Sequence, residues 1–169
     1  IIGGTAGRST TGTCNIILGL GSGKSIGGHN HNIFIGTYAA CAQSQGNCNI
    51  AIGRRSLQNV TSGRGNIAIG CRAGTHSGGI LHPDDSSFTI SIGRKAGHNA
   101  LRNGYDNIFL GEAAGDNILA GYSTTTEPNF GNILIGSDTG KSISPSNGKF
   151  RGNIMLGHRV GFFGDNHPD

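Results

Sequence analysis

Tryptophan is absent from this 169-residue chain, methionine occurs once, and aromatic residues make up only 6% of it. A single thick core filled with rings is therefore excluded. Charge is also sparse, at 13% of residues, and the formal net charge of +4 is mildly basic, a weak pointer to anionic partners. With four prolines and no G-X-Y period the chain is not collagenous. No apolar run reaches the roughly 18 residues that a membrane-spanning helix needs. No basic segment followed by an apolar stretch opens the chain, so no export signal is read, and the first residues look like the inside of a repeat. The four cysteines, Cys14, Cys41, Cys48 and Cys71, show no C-x-x-C spacing and leave the redox compartment open.

What the chain has in excess is glycine, 32 residues of it, together with regularly placed isoleucine. Regular spacing argues against disorder and for internal repetition. One string recurs: Asn15-Ile-Ile-Leu-Gly19, Asn32-Ile-Phe-Ile-Gly36, Asn49-Ile-Ala-Ile-Gly53, Asn66-Ile-Ala-Ile-Gly70, Thr89-Ile-Ser-Ile-Gly93, Asn107-Ile-Phe-Leu-Gly111, Asn132-Ile-Leu-Ile-Gly136 and Asn153-Ile-Met-Leu-Gly157. Ile1-Ile2-Gly3 is the tail of a ninth copy. The glycines are spaced 16, 17, 17, 17, 23, 18, 25 and 21 residues apart. A unit of about 17 residues thus repeats, with insertions at 75–87, 116–131 and 141–152.

The unit predicts an all-β, parallel β-solenoid (a β-roll) over residues 1–169, a single array of about nine coils cut from a longer fibre. Ile-x-Ile reads as a short strand whose two branched side chains share a face. The expected core is therefore Ile16, Leu18, Ile33, Ile35, Ile50, Ile52, Ile67, Ile69, Ile90, Ile92, Ile108, Leu110, Ile133, Ile135, Ile154 and Leu156, with the intervening residue pointing out. Seven of the eight intervening residues are apolar, so that outer face is also expected to be covered, which argues for oligomerisation. The glycine after each strand suits a corner with φ > 0 or a close backbone approach. Three residues later a small side chain recurs, marking a tight corner, and an apolar residue seven past the glycine (Ile26, Val60, Ala100, Ile118, Ile143) marks a second, weaker strand. Stacking aligns Asn15, Asn32, Asn49, Asn66, Asn107, Asn132 and Asn153 into an amide ladder, broken at Thr89.

Asn49-Ile-Ala-Ile-Gly-Arg-Arg-Ser56 and Asn66-Ile-Ala-Ile-Gly-Cys-Arg-Ala73 resemble the (Val/Ile)-Ala-Ile-Gly-x-x-(Ser/Ala) motif of trimeric autotransporter adhesin heads. The strings are also similar to Asn-Ile-x-Ile-Gly-x-x-Ala-Gly repeats of phage and large-virus tail fibres. The first resemblance implies a trimer of parallel β-rolls, intertwined or side by side, with the isoleucine-type residues inside and host-surface binding as the activity. The 17-residue, expanding unit and the four cysteines depart from the bacterial heads and lean towards a virion fibre or another microbial filament.

Gly21-Ser-Gly-Lys-Ser25 looks like a phosphate-binding loop, but Leu18 stands where the motif requires glycine, and Ile135 spoils Thr139-Gly-Lys-Ser142 in the same way. His29 and His31 could form half a metal site on one strand face; the remaining histidines (His76, His82, His98, His158, His167) are scattered, and no metal or cofactor is assigned. Cys14 and Cys48 sit two coils apart, about 9.6 Å, too far for a disulfide; Cys41 with Cys48, a cross-chain bond, or small buried thiols stay open. Arg54, Arg55, Arg72, Arg94, Lys95 and Arg159 follow the corner glycines and would stack into a basic stripe, either a solvated corner or a contact for host-surface glycans. Nucleic acid is not expected there, for want of an aromatic platform. Asn59-Val-Thr61 is a lone glycosylation sequon, and Asp84-Asp85 the only carboxylate pair to consider for glycan cleavage.

The expectation is a non-enzymatic structural and adhesive segment of an extracellular or virion-surface fibre, self-associating as a homotrimer and presenting a host-attachment region. The alternative is a self-assembling subunit of a microbial extracellular filament with no receptor. Ice binding is excluded because no column of threonine exists.

Overall fold

The computed structural model of the chain describes residues 1–25, 27–42, 46–59, 62–75, 87–99, 104–118, 130–143 and 150–161. The interiors of the three insertions lie outside the described residues, as do Ile26, Val60, Thr61, His76, His82, Asp84, Asp85, Ala100 and His167. Eight three-residue strands follow in order: β1 (Ile16–Leu18), β2 (Ile33–Ile35), β3 (Ile50–Ile52), β4 (Ile67–Ile69), β5 (Ile90–Ile92), β6 (Ile108–Leu110), β7 (Ile133–Ile135) and β8 (Ile154–Leu156). They form one parallel sheet in sequence order, β1 to β8, and the described residues contain no helix. Register is strict: Ile50 faces Ile67, Ile67 faces Ile90 and Ile90 faces Ile108, and the 23-residue gap before β5 leaves it unchanged. Ile2 continues the sheet through a parallel bridge to Leu18. The chain is an all-β solenoid.

Each coil is tied to its neighbours by backbone hydrogen bonds well beyond the strands. The Ile50 N–H donates to Asn66 O (2.8 Å), Gly53 N–H to Ile35 O (2.7 Å) and Arg55 N–H to Thr37 O (3.0 Å). The corner glycine is what allows such close stacking. All nine corner glycines have φ between +120° and +134°, where a side chain is strained. A Cβ on Gly53 would sit 2.6 Å from the carbonyl oxygen of Gly70 directly above it. Two reasons, one conformational and one steric, therefore keep this column glycine.

The strand faces are the reverse of those expected from Ile-x-Ile alone. The intervening residues point in: Ile17, Phe34, Ala51, Ala68 and Leu134 are wholly buried, and Ser91 and Phe109 nearly so. The expected core isoleucines and leucines point out, from Ile69, 36% exposed, through Ile16 to Leu156, 63%, and Ile154, 69%; the others, such as Ile33 and Ile52, are half-buried. The physical reason lies one residue earlier. Alternation places the repeat asparagine on the same side as the intervening residue. The asparagine is held inside by side-chain hydrogen bonds to backbone groups, its Oδ1 accepting from the next coil's N–H, so the intervening residue goes in with it.

A coil of about 17 residues encloses little volume, and the inner side chains compensate for one another accordingly. Small residues close the far corner, all of them buried: Ser22, Ala39, Ser56, Ala73, Ala96, Ala114 and Thr139. Phe109 fits because Gly97 and Gly115 flank its ring; Cβ atoms there would approach the ring to 2.8 and 2.6 Å. Where the inner strand residue is only Ala51 or Ala68, Leu57 takes a position that is glycine in most other copies and fills the gap. The core divides into two clusters, one from Ile17 to Ala73 and one from Ala96 to Phe150, separated at the coil where Thr89 and Ser91 replace asparagine and an apolar residue. Ile118 and Ile143 are buried as a second inner position, but that side of the coil is built of turns, not strands, in the described residues.

Candidate interaction surfaces

The asparagine column forms a ladder in which side chain meets backbone. The Oδ1 of Asn15 accepts from Asn32 N–H, Asn32 Oδ1 from Asn49 N–H and Asn49 Oδ1 from Asn66 N–H, each at 2.9 Å. Above the break, Asn107 Oδ1 accepts from Asn132 N–H (3.0 Å) and Asn132 Oδ1 from Asn153 N–H (3.1 Å). The Nδ2 group turns to a carbonyl oxygen, as in Asn15 to His29 and Asn49 to Gly63, both 2.8 Å. Direct amide-to-amide bonds, the form expected from the sequence, add to this at three steps, the shortest being Asn132 to Asn107 and Asn153 to Asn132 at 2.8 Å. Thr89 N–H still donates to Asn66 Oδ1 (3.1 Å), but Thr89 has no amide and its hydroxyl turns to Ser87 O.

Among the described residues, three surfaces stand out on the outside. The first is the sheet's outer face, two adjacent columns of Ile and Leu running the length of the stack. The second lies at the corner just after it. There Arg54 and Arg55, then Arg72, then Arg94 and Lys95 fall on three consecutive coils, tied by Arg72 N–H to Arg54 O (3.0 Å) and Lys95 N–H to Cys71 O (2.9 Å). Arg159 does not join them, because Ala113 and Asp138 occupy the equivalent place on the two intervening coils. The stripe expected from the sequence is thus a cluster of five cations with a sixth apart. Arg94 pairs with Glu112.

The third surface, at the opposite corner, was not legible beforehand as a group. Tyr105 and Phe130 stack with centroids 5.2 Å apart and ring planes within 3°, and the Arg151 guanidinium lies 5.2 Å from the Phe130 centroid. One corner lower, Arg64 lies over Phe88, whose ring packs against Gly65 at a distance no Cβ would permit. The signal was present in the sequence two residues before each repeat asparagine, at Tyr105, Phe130 and Arg151, but the insertions between these copies obscured their alignment.

The remaining candidates do not converge. Cys14 and Cys48 are exposed and Cys41 and Cys71 half-buried; all four are free thiols, so neither the Cys41–Cys48 pair nor a set of buried thiols describes them. His29 and His31 are joined by no third ligand, and no group of three metal-ligating side chains occurs among the described residues. His98 instead pairs with buried Asp116 at 2.8 Å. Gly21 to Ser25 forms a turn of the repeat corner with no helix after it. No helix in the described residues is long and apolar enough to cross a membrane. No protein-family model, curated protein or solved structure matches the chain.

Proposed function

We propose that the chain is a non-enzymatic structural and adhesive segment of an extracellular or virion-surface fibre, assembled as a homotrimer and presenting a host-attachment region. The observation that carries the reading is the outer face of the sheet. Eight strands about 4.8 Å apart make a strip about 34 Å tall, and two residue columns with their side chains make it about 10 Å wide. That plan area of about 340 Å² already falls in the 300–600 Å² range of the largest apolar patch on a typical monomer. Including the flanking corners, with Leu20 and Tyr38 on one side and Tyr105 and Phe130 on the other, roughly doubles the width. The face then approaches the roughly 800 Å² per partner of a stable interface.

A second copy is the occupant that fits best. The two columns are periodic and rigid, so a partner matching them along their whole height needs the same rise per layer, and this chain has it. A closed oligomer about an axis parallel to the stack would bury the isoleucines with the apolar residues that flank them, leaving the charged side chains of the corners at the rim. The resemblance to adhesin heads and tail fibres supports the same assembly and supplies the adhesive role.

The test is mass under native conditions, set against the 17.3 kDa chain. Three copies are expected, and Ile52→Lys with Ile92→Lys should release monomers whose circular dichroism is unchanged. A wild-type monomer at micromolar concentration would overturn the reading. Open-ended polymers would favour a filament subunit instead.

A further inference from the structure

We infer that the basic corner of the third to fifth coils binds a linear anionic polysaccharide. The choice of polysaccharide rests on the extracellular reading above; the choice of a polyanion rests on the corner itself. Arg55, Arg72 and Lys95 occupy one column, about 4.8 Å apart from coil to coil, with Arg54 and Arg94 beside them. Like charges stacked so closely repel. Among the described residues only Arg94 of the five has an acidic partner, Glu112.

Nothing in the fold requires cations at that column. The backbone there is left-handed in every coil, with φ of +60°, +58° and +58° at Arg55, Arg72 and Lys95. Yet the same conformation is held by Thr5, Gly21, Tyr38, Ala113 and Asp138 in other coils. The carbonyl and amide bonds that tie the column together are backbone bonds, indifferent to side-chain charge. Acidic residues appear only above the cluster, where Asp138 is paired with Lys141 at 2.9 Å. Charge is therefore sorted along the corner rather than scattered over it.

A second observation concerns Arg55, whose buried Nε has no hydrogen-bond partner among the described residues, so no acceptor of the protein holds that guanidinium in place. Carboxylate or sulfate oxygens bind guanidinium groups in a two-pronged fashion, and a chain of such anions laid along the column would answer three or more cations in succession. Bases of a nucleic acid would want a run of aromatic side chains; this column offers Tyr38 alone, at its end.

The intact chain is titrated with heparin (sulfated), polygalacturonate (carboxylate only) and a single-stranded oligonucleotide of matched charge, in about 50 mM salt, where exposed charges are weakly screened. Expected is heparin binding that falls at least tenfold in Arg55→Thr/Arg72→Thr/Lys95→Thr. The control Arg8→Thr/Lys24→Thr/Arg64→Thr removes as many charges elsewhere and should stay within threefold. Polygalacturonate binding alongside heparin widens the ligand class to carboxylates; its absence narrows it to sulfates. Should the triple variant not fold, Arg72→Thr alone is expected to weaken binding about threefold. No heparin binding by the wild type, equal losses in cluster and control variants, or tighter binding of the oligonucleotide would each overturn the inference. Native mass is read on the same samples: a monomer that binds heparin defeats the trimer alone, and a trimer that does not bind defeats the polysaccharide site alone.

Discussion

Gly53→Ala adds one methyl group and should nevertheless be among the most damaging substitutions available. Gly53 has φ +128°, a region essentially restricted to glycine, so the backbone either keeps that conformation at a cost of about 1–3 kcal/mol or shifts. It cannot shift freely, because a Cβ there would stand 2.6 Å from Gly70 O and 2.7 Å from Gly70 C, and these atoms are backbone, held in place by Gly70 N–H bonded to Ile52 O (2.8 Å). Forcing the coils apart resembles overpacking a core, about 1–3 kcal/mol more. The sum, roughly 2–6 kcal/mol, is a large part of the 5–15 kcal/mol that holds a typical domain together. Gly152→Ala is the comparison: φ is +62° and nothing lies within 4 Å, so only the left-handed penalty of about 1–2 kcal/mol applies. Guanidinium unfolding followed by far-ultraviolet circular dichroism reads both. If Gly53→Ala costs no more than Gly152→Ala, the coils do not stack glycine on glycine as described.

The amide ladder gives a second pair. Asn49→Ala removes the acceptor of Asn66 N–H, a buried bond, and the donor to Gly63 O, a part-buried one, and should cost about 2–4 kcal/mol by chemical denaturation. Thr89→Asn restores the missing rung and should gain about 1 kcal/mol; a loss would mean the break is required by its surroundings. His98→Ala strips buried Asp116 of its partner and is expected to cost about 1–3 kcal/mol in thermal unfolding, whereas His158→Ala, at an exposed position, should be silent.

The solenoid, its parallel order and its strand positions were legible because glycine, isoleucine and asparagine return at fixed offsets, and stacking is what makes a fixed offset matter. The direction of the strand faces was not. Ile-x-Ile, taken as an isolated triplet, assigns the larger branched residues to the interior by hydrophobicity alone. Extended by one residue, Asn-Ile-x-Ile shows that the inner set must contain either asparagine or isoleucine. Thickness decides between them: the narrow coil accepts Ala51, Ala68 and Ser91 inside, and a pair of isoleucines in every layer would overfill it. Misplacing the faces still led to an expectation of self-association, since both sets are largely apolar, but it assigned that role to the wrong column. The basic corner was legible residue by residue, yet its division into five cations and a distant Arg159 follows from Ala113 and Asp138, whose alignment depends on how the insertions are accommodated. The aromatic corner, spread over copies 18 to 25 residues apart, needed the stack itself to bring its rings together.

If the repeat is the unit of structure, a whole unit can be removed and a fraction of one cannot. Deleting residues 50–66 joins Asn49 to Ile67 and regenerates Asn-Ile-Ala-Ile-Gly with seventeen residues gone. Ile67 then pairs with Ile33 as Ile50 did, and Asn49 accepts no worse a neighbour than before, because the stack is built from nearest-neighbour contacts. The shortened chain should unfold cooperatively, with a modest drop in stability and a height about 4.8 Å smaller. Deleting residues 51–66 removes one residue fewer and leaves Asn49-Ile50-Ile67-Ala68, which turns Ile67 inwards, Ala68 outwards and puts Ile69 where the corner glycine belongs. A one-residue slip of this kind exchanges the faces of a strand. The second deletion is expected to lose the cooperative transition or to bulge around the extra residue at a cost of several kcal/mol. Indistinguishable unfolding curves for the two deletions would show that the phase of the repeat, and with it the assignment of inner and outer columns, does not govern the fold.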